Sequence, residues 1–276
     1  MAEPGGTPTV EVVDVTDAAA TAATRDLEPP ATEAEAATAA ALEAKFGVDA
    51  KTAMRFSKAR KGELKKAEPF LAEDLKWRTE YKPHDIKQSD IPAALPSGCW
   101  RILGMSSAGT GPGSSGGGYP VLFINLSLWN PSDYDVEEYG RYATYFLEAM
   151  CRMGERFIVL FDMKGWKLSH ALHMRKVKRL VTTLQDHYPE RLEAAVLMRA
   201  PGIFASAWAV IKGFIDPVTA VKVRFTSGSD SELAAYKQLG VWSVVVTSYG
   251  GGNEKQVPVP NVPGEPDCVG APSLLP

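Results

Sequence analysis

Long uninterrupted apolar runs are missing from this chain. A bilayer-spanning helix needs roughly 18–20 consecutive apolar residues, and no such stretch occurs in the 276 residues. The start of the chain is acidic and contains Pro and Gly, without the basic-then-apolar order of a secretory signal. Both absences lead to the expectation of a cytoplasmic protein. Cysteine is scarce too. Cys99, Cys151 and Cys268 are odd in number and lack metal-ligand spacing, which argues against a disulfide framework and suits a reducing compartment. Nor is there an excess of one charge: 30 Lys and Arg against 33 Asp and Glu leave a formal net charge of -3. No nucleic-acid partner is expected, and contact with an anionic surface has to come from a local basic patch.

The chain does have apolar content, at 45%, enough for one sizeable core with a helical appendage. Residues 1–31 and 253–276 are rich in Pro, Thr, Ala or acidic residues without apolar period, and both are expected to be disordered tails. Residues 32–84 form a helical module. Residues 32–46 are rich in Ala and Glu, and 50–81 repeat apolar residues at helical spacing, including Phe56, Phe70, Leu71, Leu75 and Trp77. Two to four short helices are expected there, closed by Lys82-Pro83. Residues 85–252 then alternate strand-like and helix-like segments. Strands are predicted at 100–103, 119–126, 156–163, 194–200 and 220–225, and helices at 132–152, 169–188 and 202–215. That order gives an α/β fold. The runs VLFINL, FIVLFDM and AAVLMRA are continuously apolar, so the sheet is expected to be covered on both faces and largely parallel, with mixing at an edge. The Gly/Ser insertion at 105–118 lacks the following helix and Lys-Ser/Thr pair of a phosphate loop and reads as a flexible connection.

Residues 202–215 carry apolar side chains on more than one stripe: Ile203, Ala207, Val210 and Phe214 on one, Phe204, Trp208, Ile211 and Ile215 on the next. Such a helix is either buried on both sides, the commoner case, or a lid over a hydrocarbon chain. After it, Asp216-Pro217 has the N-cap and first-position pairing of a new turn, which would put Thr219 and Lys222 on one face. A hydroxyl and an ammonium there suit a phosphodiester, with Glu190 as a nearby carboxylate; by themselves they also fit an ordinary solvated turn.

Three blocks in order, FDMKGW (161–166), YPERL (188–192) and RAPGIFASAWAVIKGFIDPVTAVKVRF (199–225), resemble the signature blocks of the CRAL-TRIO lipid-binding family. Residues 54–83 resemble that family's N-terminal helical module, and Tyr249-Gly250-Gly251 its C-terminal Tyr-Gly-Gly. The resemblance implies a helical module packed on an α/β lobe whose sheet floors a lipid pocket, closed by a gate helix bearing Phe204, Trp208, Ile211, Phe214 and Ile215. It also implies a headgroup site for phosphatidylinositol formed by Arg60, Lys61, Glu190, Thr219 and Lys222, with Arg60 reaching across to a phosphate or to Glu190. Family members that exchange a second, choline-bearing lipid use hydroxyls after the DxKG glycine. Here Lys167 and Ser169 mark that candidate second-headgroup pocket, and Lys167 would repel a choline.

What the resemblance implies is a soluble intracellular carrier that exchanges one phosphatidylinositol or related phospholipid between membranes. It would be a monomer in transient peripheral contact with membranes, and not an enzyme. Two alternatives stay open: a binder of a retinoid- or tocopherol-type ligand, or a non-transferring lipid sensor that regulates phosphoinositide kinases or trafficking. His170 and His173 sit near Ser169 on a predicted helix, but no third ligand or orienting carboxylate stands at a recognisable spacing, so no catalytic residue, metal or cofactor beyond the bound lipid is assigned. In the helix predicted over 169–188, Leu172, Val177, Leu180, Val181 and Leu184 form the apolar face, and Arg175, Lys176, Lys178 and Arg179 read as a solvated face.

Overall fold

A computed structural model describes residues 31–107, 118–226, 228–245 and 251–252. The expected tails, most of the Gly/Ser insertion, and Tyr249 and Gly250 lie outside the described residues. The chain opens with three helices. α1 (Glu33–Phe46) starts on a reciprocal cap, in which the Glu35 N–H donates to the Thr32 hydroxyl and the Thr32 N–H to the Glu35 carboxylate. Asp49 caps α2 (Ala50–Lys58), and α3 (Leu64–Tyr81) follows a tight turn. Leu42, Phe56 and Leu71 fill a core between them; each fully buried side chain of this size contributes about 1.5–3 kcal/mol. A 3₁₀ turn at Pro83–Asp85 ends the helical run where the sequence places the break.

The sheet has order β1-β2-β3-β4-β5, with β1 (Trp100–Met105), β2 (Pro120–Asn125), β3 (Phe157–Asp162), β4 (Leu192–Met198) and β5 (Val223–Thr226). β1 pairs antiparallel with β2 as one edge, and the other three pairings are parallel. Both faces are covered. Trp100, Leu122, Phe157 and Leu197 point into one core, while Val121, Ile158, Val196 and Met198 enter the other. The first core is roofed by α4 (Val136–Met153), α5 (Met174–His187) and α6 (Phe204–Lys212). The second is covered by α8 (Ser229–Leu239), through Ala235, Tyr236 and Leu239. The sequence reading assigned no element to α8.

The differences from sequence expectation are local and have identifiable causes. α4 starts at Val136, not 132, because Asp135 accepts the Glu138 N–H as its cap. The last strand begins at Val223, not 220, because Asp216-Pro217 nucleates a one-turn helix, α7 (Pro217–Ala220). The predicted helix at 169–188 is divided: Leu168–His173 is 3₁₀, and α-helix begins only at Met174. That change of pitch turns Leu172 outward, to 84% exposure, instead of onto the apolar face. The solvated cationic face also needs correction. Lys176 is buried with its ammonium 5.7 Å from the Tyr134 ring, and Arg179 approaches Glu137 at 3.7 Å.

The helical module is fastened to the lobe by a buried polar seam. Arg78 donates to Asp74 at 2.9 Å, to Glu148 on α4 at 3.2 Å and to the His187 carbonyl at 3.0 Å. The Tyr188 hydroxyl donates to Glu148 at 2.6 Å, and His187 Nδ1 lies 3.0 Å from Asp74. Trp77 stacks on the His187 ring at 3.7 Å.

Candidate headgroup site and gate

Parallel pairing sets the site. β4 and β5 are parallel neighbours, so the residues that lead into them lie side by side; the Ala195 N–H donates to the Lys222 carbonyl at 2.9 Å. Glu190 stands two residues before β4, in a left-handed turn with φ 58°, a conformation that costs a non-glycine residue roughly 1–2 kcal/mol. Its carboxylate lies 3.5 Å from the Lys222 ammonium, and both side chains are about one-fifth exposed, at 21% and 22%. The pair is open enough to reach a solute and dry enough for its charge to count.

Thr219 sits beside them on α7. Its N–H donates to Asp216 Oδ1 at 2.9 Å and its hydroxyl to Oδ2 at 2.6 Å; Gln185 of α5 donates to the same carboxylate at 3.2 Å. Burial acts to raise the Asp216 carboxyl, but the donors from Thr219, Gln185 and Val218 outweigh it, and the group sits below the ordinary carboxylate range. The Thr219 hydroxyl proton is therefore committed to Asp216, which leaves its oxygen as an acceptor. Asp216 was legible as a cap; the part played by Gln185 carried no sequence signal.

Arg60 and Lys61 occupy the turn between α2 and α3. Gly62 follows with φ 73°, and a Cβ there would stand 2.7 Å from the Ala34 backbone, so the turn lies directly on α1. The Arg60 guanidinium covers the Phe70 ring at 3.5 Å and donates to the Ala59 carbonyl at 3.1 Å. Burial raises the Asp186 carboxyl, while His187 and Arg60 pull it down. Among the described residues, then, Glu190 is held by Lys222 and not by Arg60. The structure brings together Glu190, Thr219 and Lys222, and sets Arg60 and Lys61 on the neighbouring module.

Helix α6 is not buried all round. Phe204, Ala207 and Ile211 are buried, with Phe204 against Trp166 at 4.9 Å and Trp208 against Phe225 of β5 at 5.0 Å between ring centres. Ile215 packs on the same core, and Phe214 is half-buried beneath the Lys178 ammonium at 5.6 Å. The opposite side is open: Ile203 is 55% and Val210 49% exposed. Lys167 and Ser169 are exposed and line a cleft of about 330 Å3 between the 168–173 turn and the loop after β2. His170 packs between Trp129 and Trp166, and its Nδ1 accepts the Lys167 N–H at 3.2 Å.

A family model described as the CRAL/TRIO domain matches residues 109–251, more than half of the chain. The phosphatidylinositol transfer protein CSR1 of Eremothecium gossypii is 32% identical over 184 residues, 63% of this chain and 41% of that protein. The SEC14 cytosolic factor of Candida glabrata is 28% identical over 209 residues, 70% of this chain and 67% of that protein. The human alpha-tocopherol transfer protein-like protein is 29% identical over 185 residues, 64% of this chain and 52% of that protein. The chain thus spans about two-fifths to two-thirds of these relatives. The crystal structure of Sfh5 superposes with TM-score 0.56 at 21% identity, covering 71% of this chain and 70% of that one. That likeness concerns the fold.

Proposed function

The chain belongs to the CRAL/TRIO domain family, and from that premise we propose that it binds one phosphatidylinositol molecule and exchanges it between membranes, without catalysing a reaction. The observation that carries this reading is the Glu190–Lys222 pair beside Thr219. A neutral retinoid or tocopherol has no phosphate to engage a lysine, so a charged pair there favours a phosphodiester over the ligand type that the tocopherol-transfer relative's name carries. In this reading Lys222 meets the phosphate, Glu190 accepts from inositol hydroxyls, and the Thr219 oxygen accepts another. Arg60 and Lys61 approach from the helical module.

The acyl chains would lie beneath α6 on the sheet face that carries Phe225 and Leu197. Ile203 and Val210 on α6, with Leu168 at 71% and Leu172 at 84% exposure on the turn before α5, form the apolar surface that would enter the headgroup boundary of a bilayer. No helix among the described residues is long and apolar enough to cross a membrane, so contact of this kind would be peripheral. The test is mass spectrometry of lipids extracted after incubation with mixed liposomes, wild type beside Lys222→Ala. Phosphatidylinositol enriched in wild type alone supports the reading; another lipid enriched equally in both would move the function to a different ligand.

A further inference from the structure

Asp216 caps α7 and is occupied more fully than a cap requires. Its Oδ1 accepts the Thr219 N–H at 2.9 Å, and its Oδ2 accepts both the Thr219 hydroxyl at 2.6 Å and the Gln185 amide at 3.2 Å. The Val218 N–H bonds to the same carboxylate. Together these four donors, which outweigh burial and hold the group ionised, are as many as a carboxylate accepts. Asp216 therefore has no lone pair left for a ligand and can act on one only through its partners. An ionised carboxylate carries no proton, so the direction of each bond is set: Gln185 and Thr219 both donate.

The consequence falls on Thr219. Its single hydroxyl proton is engaged, its oxygen still accepts, and the residue is only half-buried. The Glu190 carboxylate, partly exposed beside it, is an acceptor as well. Lys222, whose N–H donates to the Thr219 carbonyl at 3.0 Å, brings an ammonium to the same place. A cation of that kind suits any phosphodiester. The acceptors are satisfied only by a headgroup that brings hydroxyl protons, and an acceptor stripped of water without a donor is penalised.

We propose that Asp216 and Gln185 are positioning residues that set headgroup selectivity: by holding Thr219 as an acceptor, they make the site favour a phosphodiester with a polyol headgroup over one without hydroxyls. The proposal rests on the carrier reading, in which Lys222 meets the phosphate; neither positioning residue touches the lipid. Gln185 reaches Asp216 from α5, so the selectivity of the α7 turn depends on the helix packed beside it and not on the turn alone.

The experiment offers the full chain phosphatidylcholine vesicles containing equal minor fractions of phosphatidylinositol and phosphatidylmethanol with matched acyl chains, and reads the ratio of the two loaded lipids by mass spectrometry. Both probes are phosphodiesters of one negative charge; the methyl ester lacks the hydroxyls. Wild type should favour phosphatidylinositol. Asp216→Asn keeps a capping side chain, but the amide nitrogen in place of Oδ2 donates to the Thr219 oxygen and releases its hydroxyl proton, while Gln185 can turn its own amide to accept. The ratio should fall about fivefold, the equivalent of about 1 kcal/mol for one hydrogen bond. Gln185→Leu, outside the cap, should lower it by about twofold. Thr219→Val should lower the ratio as Asp216→Asn does, and the double variant should lower it no further. A cap that served folding alone would change the urea midpoint or the total load and leave the ratio at its wild-type value. That result for Asp216→Asn, or a second full drop in the Thr219→Val background, overturns the proposal. Wild type loading both probes equally also overturns it and leaves the phosphate grip standing. Wild type loading neither overturns the carrier reading, and the proposal with it.

Discussion

At its C-terminal end, helix α5 is locked to the helical module by charges that are almost all paired: Asp74 and Glu148 are 2% and 4% exposed, and each has at least two partners. At its N-terminal end the same helix is preceded by a turn that projects Leu168 and Leu172 into solvent over a groove lined with serines, two histidines and Lys167. One end conceals polar groups in the interior, the other displays apolar groups at the surface. Each arrangement is costly for folding alone. The first is tolerable because removing charges from water is offset by mutual pairing; the second finds its offset only in something outside the protein. The contrast separates the part of the molecule that holds the two modules in fixed relation from the part that the proposed function would bring to a bilayer.

The largest effect should come from breaking the seam. Arg78→Ala leaves Asp74 and Glu148 buried without their shared cation, and a loss of about 3–5 kcal/mol is expected in urea unfolding; a loss below about 1 kcal/mol would mean the seam is not a fastening. Next is Lys222→Ala, for which phosphatidylinositol loading should fall at least about tenfold, about 1.4 kcal/mol. Stability should change by no more than about 1 kcal/mol, because the pair with Glu190 is partly solvated. Equal loading of mutant and wild type would remove the phosphate grip. Third, Leu168→Ser with Leu172→Ser should leave the unfolding free energy within about 0.5 kcal/mol per site while lowering sedimentation with vesicles several-fold. A large drop in stability instead would show that the turn packs in the interior.

The smallest effect concerns Asp216. Its carboxyl is held below the ordinary range in the fold, so it stabilises above its unfolded value, 3.8, and that contribution is lost as pH falls through the folded value. Asp216→Asn keeps a capping side chain but removes the titration. Unfolding curves measured from neutral to acid pH should therefore converge for mutant and wild type at the acid end. Parallel curves at all pH values would show that the carboxylate contributes nothing as a charge.

Much of the architecture was legible because it follows from local rules. Continuous apolar runs marked strands covered on both faces, and the Asp216-Pro217 pair marked the start of α7. The Pro83 break marked the end of the helical run. The phase of Leu172 was not legible. An apolar residue five positions before Val177 reads as part of the same helix, and only the 3₁₀ pitch of 168–173 turns it outward. Lys176 misled for the opposite reason: charge in a sequence reads as solvent, and its burial over Tyr134 depends on where the segment leading into α4 lies. Thr219 and Lys222 were legible on one face from the Asp216-Pro217 turn, whereas the approach of Glu190 to Lys222 depends on parallel pairing that no spacing encodes. Gln185, which ties α5 to α7 through Asp216, carried no signal.

By itself, the sequence determined the order of the five strands and of the helices other than α8, the Asp216 cap, and the absence of long apolar runs, because these depend on neighbours within a few residues. The tertiary structure alone decided which end of α5 is sealed and which is open, and that Glu190 pairs with Lys222 instead of Arg60. It also decided that Lys167 lines a cleft of its own. Those outcomes depend on distances between residues far apart in the chain, set by how the sheet aligns its strand ends and how the helices pack across it.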